Sequence, residues 1–146
     1  MRLTFRLAHL PSGDDLPVRS ESLHADAEGG FYRIANAPFF VSDLSFGDLI
    51  EITALDQSEI VEWRHVKRSD RSTVWLMVVG DFDISPTIRA LKSLGCRVEG
   101  FPAYSLYAVD APVSIPAASL DEVVGALTED QANVAYPSWR HDDEVV

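Results

Sequence analysis

The sequence predicts an α+β fold whose C-terminal half is ferredoxin-like. The elements of that half follow the order strand, helix, strand, strand, helix, strand, with a turn residue at each junction, which is typical of the split β-α-β motif. The strands and helices are predicted over residues 73–79, 86–94, 97–101, 106–109, 120–127 and 133–139. Before them, we predict a small antiparallel, β-barrel-like subdomain over residues 1–70, packed on the ferredoxin-like subdomain of residues 71–139. Residues 140–146 form an acidic tail.

Short alternating segments predict the strands of the N-terminal subdomain. Leu3, Phe5 and Leu7 have the period of a half-buried strand. Glycine pairs and Gly-Asp steps mark the turns. Further strands are predicted over residues 18–25, 31–34, 49–55 and 59–66, the last with Val61 and Trp63 facing the core.

In the C-terminal half, residues 74–79 and 106–109 are almost wholly apolar, as in a strand that is covered on both faces. The two helices cover one face, with Ser85 and Ser119 predicted as N-caps and Gly95 as a left-handed C-cap. We expect the N-terminal subdomain to cover the other face, and a homodimer is the alternative. Because an isolated half would expose an apolar patch, we expect cooperative unfolding of both halves.

Composition excludes several classes of protein. The chain has 146 residues, a net charge of −11 and 47% hydrophobic residues, which indicates a globular protein. Nucleic acid is excluded as a partner because phosphate binding requires a basic surface. The longest apolar run has six residues, against the roughly 20 needed to span a bilayer, and no signal peptide is recognisable. With a single cysteine, Cys96, we expect a soluble cytoplasmic protein with no disulfide.

The residues that could carry chemistry do not form a recognisable catalytic motif. The four histidines are scattered, so we predict no metal site and no cofactor. Residues 80–83 take the place of a phosphate-binding loop, but their two carboxylates would repel phosphate. Glu99 and Asp110 lie on adjacent strands without clearly facing each other, so paired acid–base catalysis is not favoured. Cys96 follows a helix end and is predicted to be a buried, unreactive side chain.

The acidic residues of the C-terminal half indicate a protein partner that is basic. Acidic surfaces steer association with basic proteins. We therefore predict a non-enzymatic protein-binding module of the immunity or antitoxin type, unless the acidity serves solubility alone. One alternative is a small-molecule-sensing domain, and another is an enzyme with a groove site between the subdomains that uses Glu21, Asn36 and Asp48. The predicted partner-binding residues are Asp81, Asp83, Asp121, Glu122, Glu129 and Asp130.

Several segments are similar to a known bacterial family. They are residues 21–23, 36–40, 44–48, 69–73, 94–99 and 107–112, and the most specific is the Asn-x-Pro-Phe-Phe to Gly-Asp block of residues 36–48. Over about residues 5–136 the chain resembles domain of unknown function 4265. It departs from the family at Arg71, where a small residue or glycine is more usual. The resemblance implies no activity.

Overall fold

The computed structural model describes residues 1–7 and 19–141. Over these residues the chain has a mixed α+β fold with mostly antiparallel strands and two α-helices, which confirms that the fold is α+β, as predicted. The chain divides into two compact units, Met1–Ser69 (unit 1) and Asp70–Val146 (unit 2). Val18, predicted to begin a strand, and residues 142–146 of the predicted acidic tail lie outside the described residues.

The five strands of unit 1 form a sheet that closes on itself. Consecutive strands pair antiparallel, so the first and fifth strands of the series run in the same direction. Their pairing is accordingly parallel and joins Phe5 to Ile60. The strands are β1 (Arg2–Arg6), β2 (Ser20–Glu28), β3 (Phe31–Ile34), β4 (Leu49–Asp56) and β5 (Glu59–Lys67).

Alternate residues of these strands fill the core of unit 1. In β2, Leu23 and Ala25 point inward, as the period of two requires, and both are buried. The ring of Phe5 meets that of Trp63 edge to face, with centroids 6.2 Å apart. The buried cluster consists of Phe5, Leu23, Ala25, Ile34, Val41, Leu44, Ile50 and Ile60.

The predicted orientation of Val61 is wrong. Ile60 is buried, whereas Val61 is 44% exposed and Trp63 packs against the core as predicted. The reason is a β-bulge, because Ala54 pairs with Glu62 and Leu55 with Ile60, which leaves Val61 without an opposite residue. One extra residue reverses the inward and outward alternation, and single-strand periodicity cannot reveal it.

Unit 2 has a four-stranded sheet with the order β7-β8-β6-β9, in which every pair is antiparallel. One face of the sheet packs against the two helices through an apolar cluster that includes Val74, Leu76, Leu91, Val109 and Leu120. The elements are β6 (Arg71–Val78), α1 (Ser85–Leu94), β7 (Arg97–Phe101), β8 (Leu106–Pro112), α2 (Ala117–Val124) and β9 (Ala132–Ser138). Residues Pro102–Tyr104 form a 3₁₀ turn.

The two helices begin differently from the prediction. Ser85 is the first helical residue of α1 rather than its N-cap, and its main-chain N–H donates to Asp83 Oδ1 at 3.0 Å. Helix α2 begins at Ala117, directly after the extended Pro116, so Ser119 lies inside the helix and does not cap it. Gly95 is the left-handed C-cap of α1, with φ of 109°, as predicted. Neither described helix is long and apolar enough to cross a membrane.

The bulge in β5 makes neighbouring apolar residues respond differently to truncation. Ile60→Ala is expected to lower the free energy of unfolding by about 2–5 kcal/mol, because it leaves a cavity in the core. Val61→Ala is the matched control and is expected to change it by about 0.5 kcal/mol or less. Urea denaturation of both variants measures the difference. Equal losses would contradict the orientation described for β5.

Candidate protein-binding surface

All six carboxylates that the sequence predicts as partner-binding residues are exposed in unit 2. They lie on three segments: the β6–α1 connection, helix α2 and the α2–β9 connection. In order, these residues are Asp81 and Asp83, then Asp121 and Glu122, then Glu129 and Asp130. We refer to them as the acidic surface.

The pairing of β6 with β9 brings two of these segments to the same end of the sheet. Val78 at the end of β6 lies opposite Ala132 at the start of β9. The next residue, Val79, donates its N–H to the carbonyl oxygen of Gln131 at 2.9 Å. The loops that carry Asp81, Asp83, Glu129 and Asp130 are therefore adjacent, although these residues are far apart in sequence.

The carboxylate of Asp121 acts on β9 as well. Burial raises the pKa of Tyr136 on this strand, and the negative charge of Asp121 raises it further. At the β6–α1 loop, hydrogen bonds from Ser85 lower the pKa of Asp83, so this carboxylate is ionised at neutral pH. The acidic surface thus extends from the end of the sheet towards its β9 edge.

Unit 1 differs, because most of its exposed acidic residues that the structure describes are paired with arginine. Arg6 binds Asp56 at 2.6 Å and Glu59 at 2.8 Å. The other pairs are Arg33 with Glu28, Arg64 with Glu51 and Arg68 with Asp43. Among residues 1–7 and 19–141, no residue of the acidic surface forms an ion pair. Its charge is therefore not neutralised by direct contact with a cation.

The residues of the alternative groove site all lie in unit 1. Glu21 is buried on β2, and its carboxylate accepts main-chain N–H groups from Phe39 at 2.6 Å, Phe40 at 2.9 Å and Val41 at 3.0 Å. Burial raises the pKa of Glu21, and these three hydrogen bonds oppose the increase. The carboxylate thus anchors residues 39–41 to β2.

Asp48 has a similar structural role. It is fully buried, and it accepts the N–H groups of Ser45 at 2.9 Å and Ser69 at 2.8 Å. His65 Nε2 lies 2.9 Å from the same carboxylate. Asn36 Oδ1 accepts the His24 N–H at 2.8 Å. The oxygens of these side chains therefore support the main chain and His65 of their own unit.

Two buried polar pairs in unit 2 were not predicted. Ser72 Oγ lies 2.6 Å from His141 Nδ1, and His141 Nε2 lies 3.1 Å from the carbonyl oxygen of Pro112. A carbonyl oxygen only accepts, so Nε2 carries the proton and the Ser72 hydroxyl donates to Nδ1. Ser72 has no exposed area, and its Oγ also accepts the Arg140 N–H at 2.6 Å. The pair links the segment that follows β9 to Ser72 of β6.

Arg71 and Asp110 form the second pair. The guanidinium binds the carboxylate through Nε at 2.9 Å and Nη2 at 2.5 Å, and Asp110 is 2% exposed. Asp110 lies opposite Arg97, whereas Glu99 lies opposite Ala108, so the two carboxylates do not face each other. No group of three or more His, Cys, Asp or Glu side chains in the described part of the chain is arranged to hold a metal ion.

Glu21 should contribute strongly to the stability of unit 1. Glu21→Ala removes the acceptor of three main-chain N–H groups and is expected to cost about 1–3 kcal/mol of unfolding free energy. Glu28→Ala is the matched control on the same strand, because Glu28 forms only an exposed ion pair, worth about 0–1 kcal/mol. Chemical denaturation measures both. Equal effects would refute the anchoring role of Glu21.

Cys96 should resist alkylation by iodoacetamide. Burial, with a smaller effect from Asp110, raises the pKa of its thiol to about 11, from 9.0. At pH 8, this lowers the thiolate fraction about a hundredfold relative to the unfolded chain. The folded thiol keeps its proton between pH 9 and 11 while the unfolded thiol loses it, so the free energy of unfolding should fall over that pH range relative to that of Cys96→Ala. Mass spectrometry after timed labelling with iodoacetamide measures the rate of alkylation. Equal labelling of folded and urea-unfolded protein at pH 8 would contradict the raised pKa.

Comparisons with known proteins place the chain in a family. No curated protein matches the sequence. A solved structure described as "Novel crystal structure of a hypothetical protein from Neisseria gonorrhoeae" is similar, with a TM-score of 0.77 and 15% identity over 94% of this chain and 95% of that one. At this identity the likeness shows the fold alone. The model of the family described as domain of unknown function (DUF4265) matches residues 21–136, and the chain belongs to this family.

Proposed function

We propose that this protein is a non-enzymatic binding module that neutralises a basic protein partner, in the manner of an immunity or antitoxin protein. One observation carries the proposal: the six carboxylates of the acidic surface are exposed, and none of them is ion-paired within the described residues. Four of them lie on adjacent loops at one end of a sheet. A surface of this kind suits lysine and arginine side chains.

The distribution of charge supports the same conclusion. Residues 70–146 contain twelve acidic and five basic residues, whereas residues 1–69 contain eleven and seven. In unit 1 the exposed pairs with arginine cancel most of the field at a distance. The uncompensated field of unit 2 acts over about one Debye length and raises the rate at which a basic protein arrives.

The strand order supports the finer architecture that we propose for the module. A sheet ordered β7-β8-β6-β9, with helices after β6 and β8, is the arrangement expected of a ferredoxin-like unit. The closed strand order of unit 1 is the one expected of a small β-barrel. Both architectures occur in binding proteins and in enzymes, so the proposal depends on the surface and not on the fold.

The contacts of Glu21 and Asp48 favour binding over catalysis. A general acid or base must reach a proton on a substrate. The carboxylate of Glu21 accepts three main-chain N–H groups, and that of Asp48 accepts two together with a contact to His65. These hydrogen bonds orient both carboxylates towards groups of the protein itself and not towards a substrate.

Charge reversal tests the proposal once a partner has been purified from native lysate. The double variant Glu129→Lys/Asp130→Lys is expected to slow association by about one to three orders of magnitude at low ionic strength, with less effect on dissociation. The matched control, Asp26→Lys/Glu62→Lys, makes the same change in net charge on exposed residues of unit 1. Stopped-flow fluorescence measures both rates. Association that is unaffected by salt and by the unit 2 substitutions would mean that the acidity serves solubility alone.

A further inference from the structure

The side chain of Tyr136 on β9 is exposed although its ring packs against another aromatic ring. It is 49% exposed, and its ring meets that of Trp139 edge to face, with centroids 5.3 Å apart and planes at 86°. In an edge-to-face pair one ring presents only its rim to the other. Whichever ring presents the rim, Trp139 leaves at least one face of the Tyr136 ring uncovered. The exposure of the side chain means that solvent reaches this ring.

Trp139 gives the Tyr136 ring a fixed support. Trp139 packs against the apolar cluster of unit 2, which also contains Leu120 and Val124 of α2. The ring of His141, which is 5% exposed, lies 5.0 Å from that of Trp139. Tyr136 therefore packs against a side chain that is itself held by the core. A ring that is already positioned loses little conformational freedom when a partner binds to it.

Asp121 places a negative charge beside this ring. It follows Leu120 on α2, and Leu120 belongs to the cluster against which Trp139 packs. Burial and then the charge of Asp121 raise the pKa of Tyr136, and no described lysine or arginine lowers it. The carboxylate of Asp121 forms no hydrogen bond or ion pair with a described residue. An exposed aromatic ring and an uncompensated carboxylate thus lie together at the β9 end of the acidic surface.

The chemistry of these two groups suits an arginine side chain. The face of an aromatic ring attracts a cation, and a carboxylate accepts paired hydrogen bonds from a guanidinium. A guanidinium can make both contacts at once, because its plane stacks on a ring while its N–H groups point outward in that plane. The ammonium group of lysine is a strongly hydrated point charge that cannot stack. A second copy of the chain is disfavoured, because it would bring its own acidic surface to the same place.

We infer that Tyr136 and Asp121 form a binding site for one arginine side chain of the basic protein partner, with the guanidinium stacked on the open face of the ring and hydrogen-bonded to the carboxylate. This inference rests on the proposed function and identifies the residues that anchor the partner. The other carboxylates of the acidic surface attract basic side chains of either type, and this site selects arginine over lysine.

Two synthetic heptapeptides test the site on the full-length protein. One alternates serine with arginine and the other alternates serine with lysine, so their charges are equal. The arginine peptide is expected to bind about threefold more tightly or better, because only the guanidinium both stacks and forms paired hydrogen bonds. Isothermal titration calorimetry measures both affinities. Because protons above the face of an aromatic ring are shielded, the NMR signals of the arginine Cδ protons should also move upfield on binding.

Variants of the two residues separate stacking from charge. Tyr136→Leu keeps an apolar side chain but removes the ring, so it should weaken binding of the arginine peptide about two- to fivefold and abolish the upfield shift. The conservative variant Tyr136→Phe keeps the aromatic face and should retain both the upfield shift and the preference for arginine. Asp121→Asn should weaken binding of the arginine peptide about fivefold, because it removes the charged acceptor. Circular dichroism checks that each variant is folded.

The outcomes distinguish the arginine site from the proposed function. Equal affinity of the parent protein for the two peptides, or an unchanged preference for arginine in Tyr136→Leu, would overturn the site. The proposed function would still stand if binding then weakened with salt and with Glu129→Lys/Asp130→Lys. Absence of salt-sensitive binding by both peptides would count against the inference and the proposed function together.

Discussion

Two buried carboxylates determine the conformation of the segment between β3 and β4. Residues 35–48 contain no strand or helix, so their main-chain groups cannot be satisfied by regular hydrogen bonding. Glu21 accepts three consecutive N–H groups in the middle of this segment, and Asp48 accepts one near its end and another from Ser69. Residues 36–48 thus contain both the main-chain donors that Glu21 needs and the second acceptor, Asp48.

The two units differ in how far their acidic side chains are compensated by hydrogen bonds and ion pairs. In unit 1 the buried carboxylates have main-chain partners and most of the described exposed ones have arginines, so most of these charges are compensated locally. In unit 2 the buried carboxylate Asp110 is paired with Arg71, but the exposed ones are not paired within the described residues. A structural scaffold requires that its charged side chains be compensated locally. Electrostatic recognition requires an exposed surface on which they are not compensated.

The sequence was sufficient for features that depend on local periodicity. The elements of unit 2 were found in the right order because their apolar residues recur at helical or strand spacing, and Gly95 was recognisable as a cap from its position alone. The orientation of Val61 could not be recognised in this way, because a β-bulge in the pairing of β5 with β4 changes the inward and outward alternation of side chains. The start of α2 was also missed, because Pro116 ends the preceding extended segment and the helix follows at once.

The candidate site likewise combines features that the sequence predicts with features that only the fold determines. The acidic residues and their exposure could be predicted from composition, but the adjacency of the two loops depends on the β6–β9 pairing, which no local pattern contains. The partners of Glu21 are main-chain groups, which every residue possesses, so no residue type identifies them. Ser72 and His141 are 69 residues apart, and only the fold brings them together.

The closed sheet of unit 1 has a consequence for the order of events in folding. Strands β2 to β5 pair with sequence neighbours, two of the three pairs through two-residue turns and β3 with β4 through residues 35–48, whereas the parallel contact of Phe5 with Ile60 joins residues from the two ends of the unit. Contacts of large sequence separation must first overcome the entropy of closing a long loop. The β1–β5 contact is therefore the kinetically costly one. A nascent chain cannot make it until β5 has left the ribosome, so unit 1 completes its fold only after the whole unit has been synthesised.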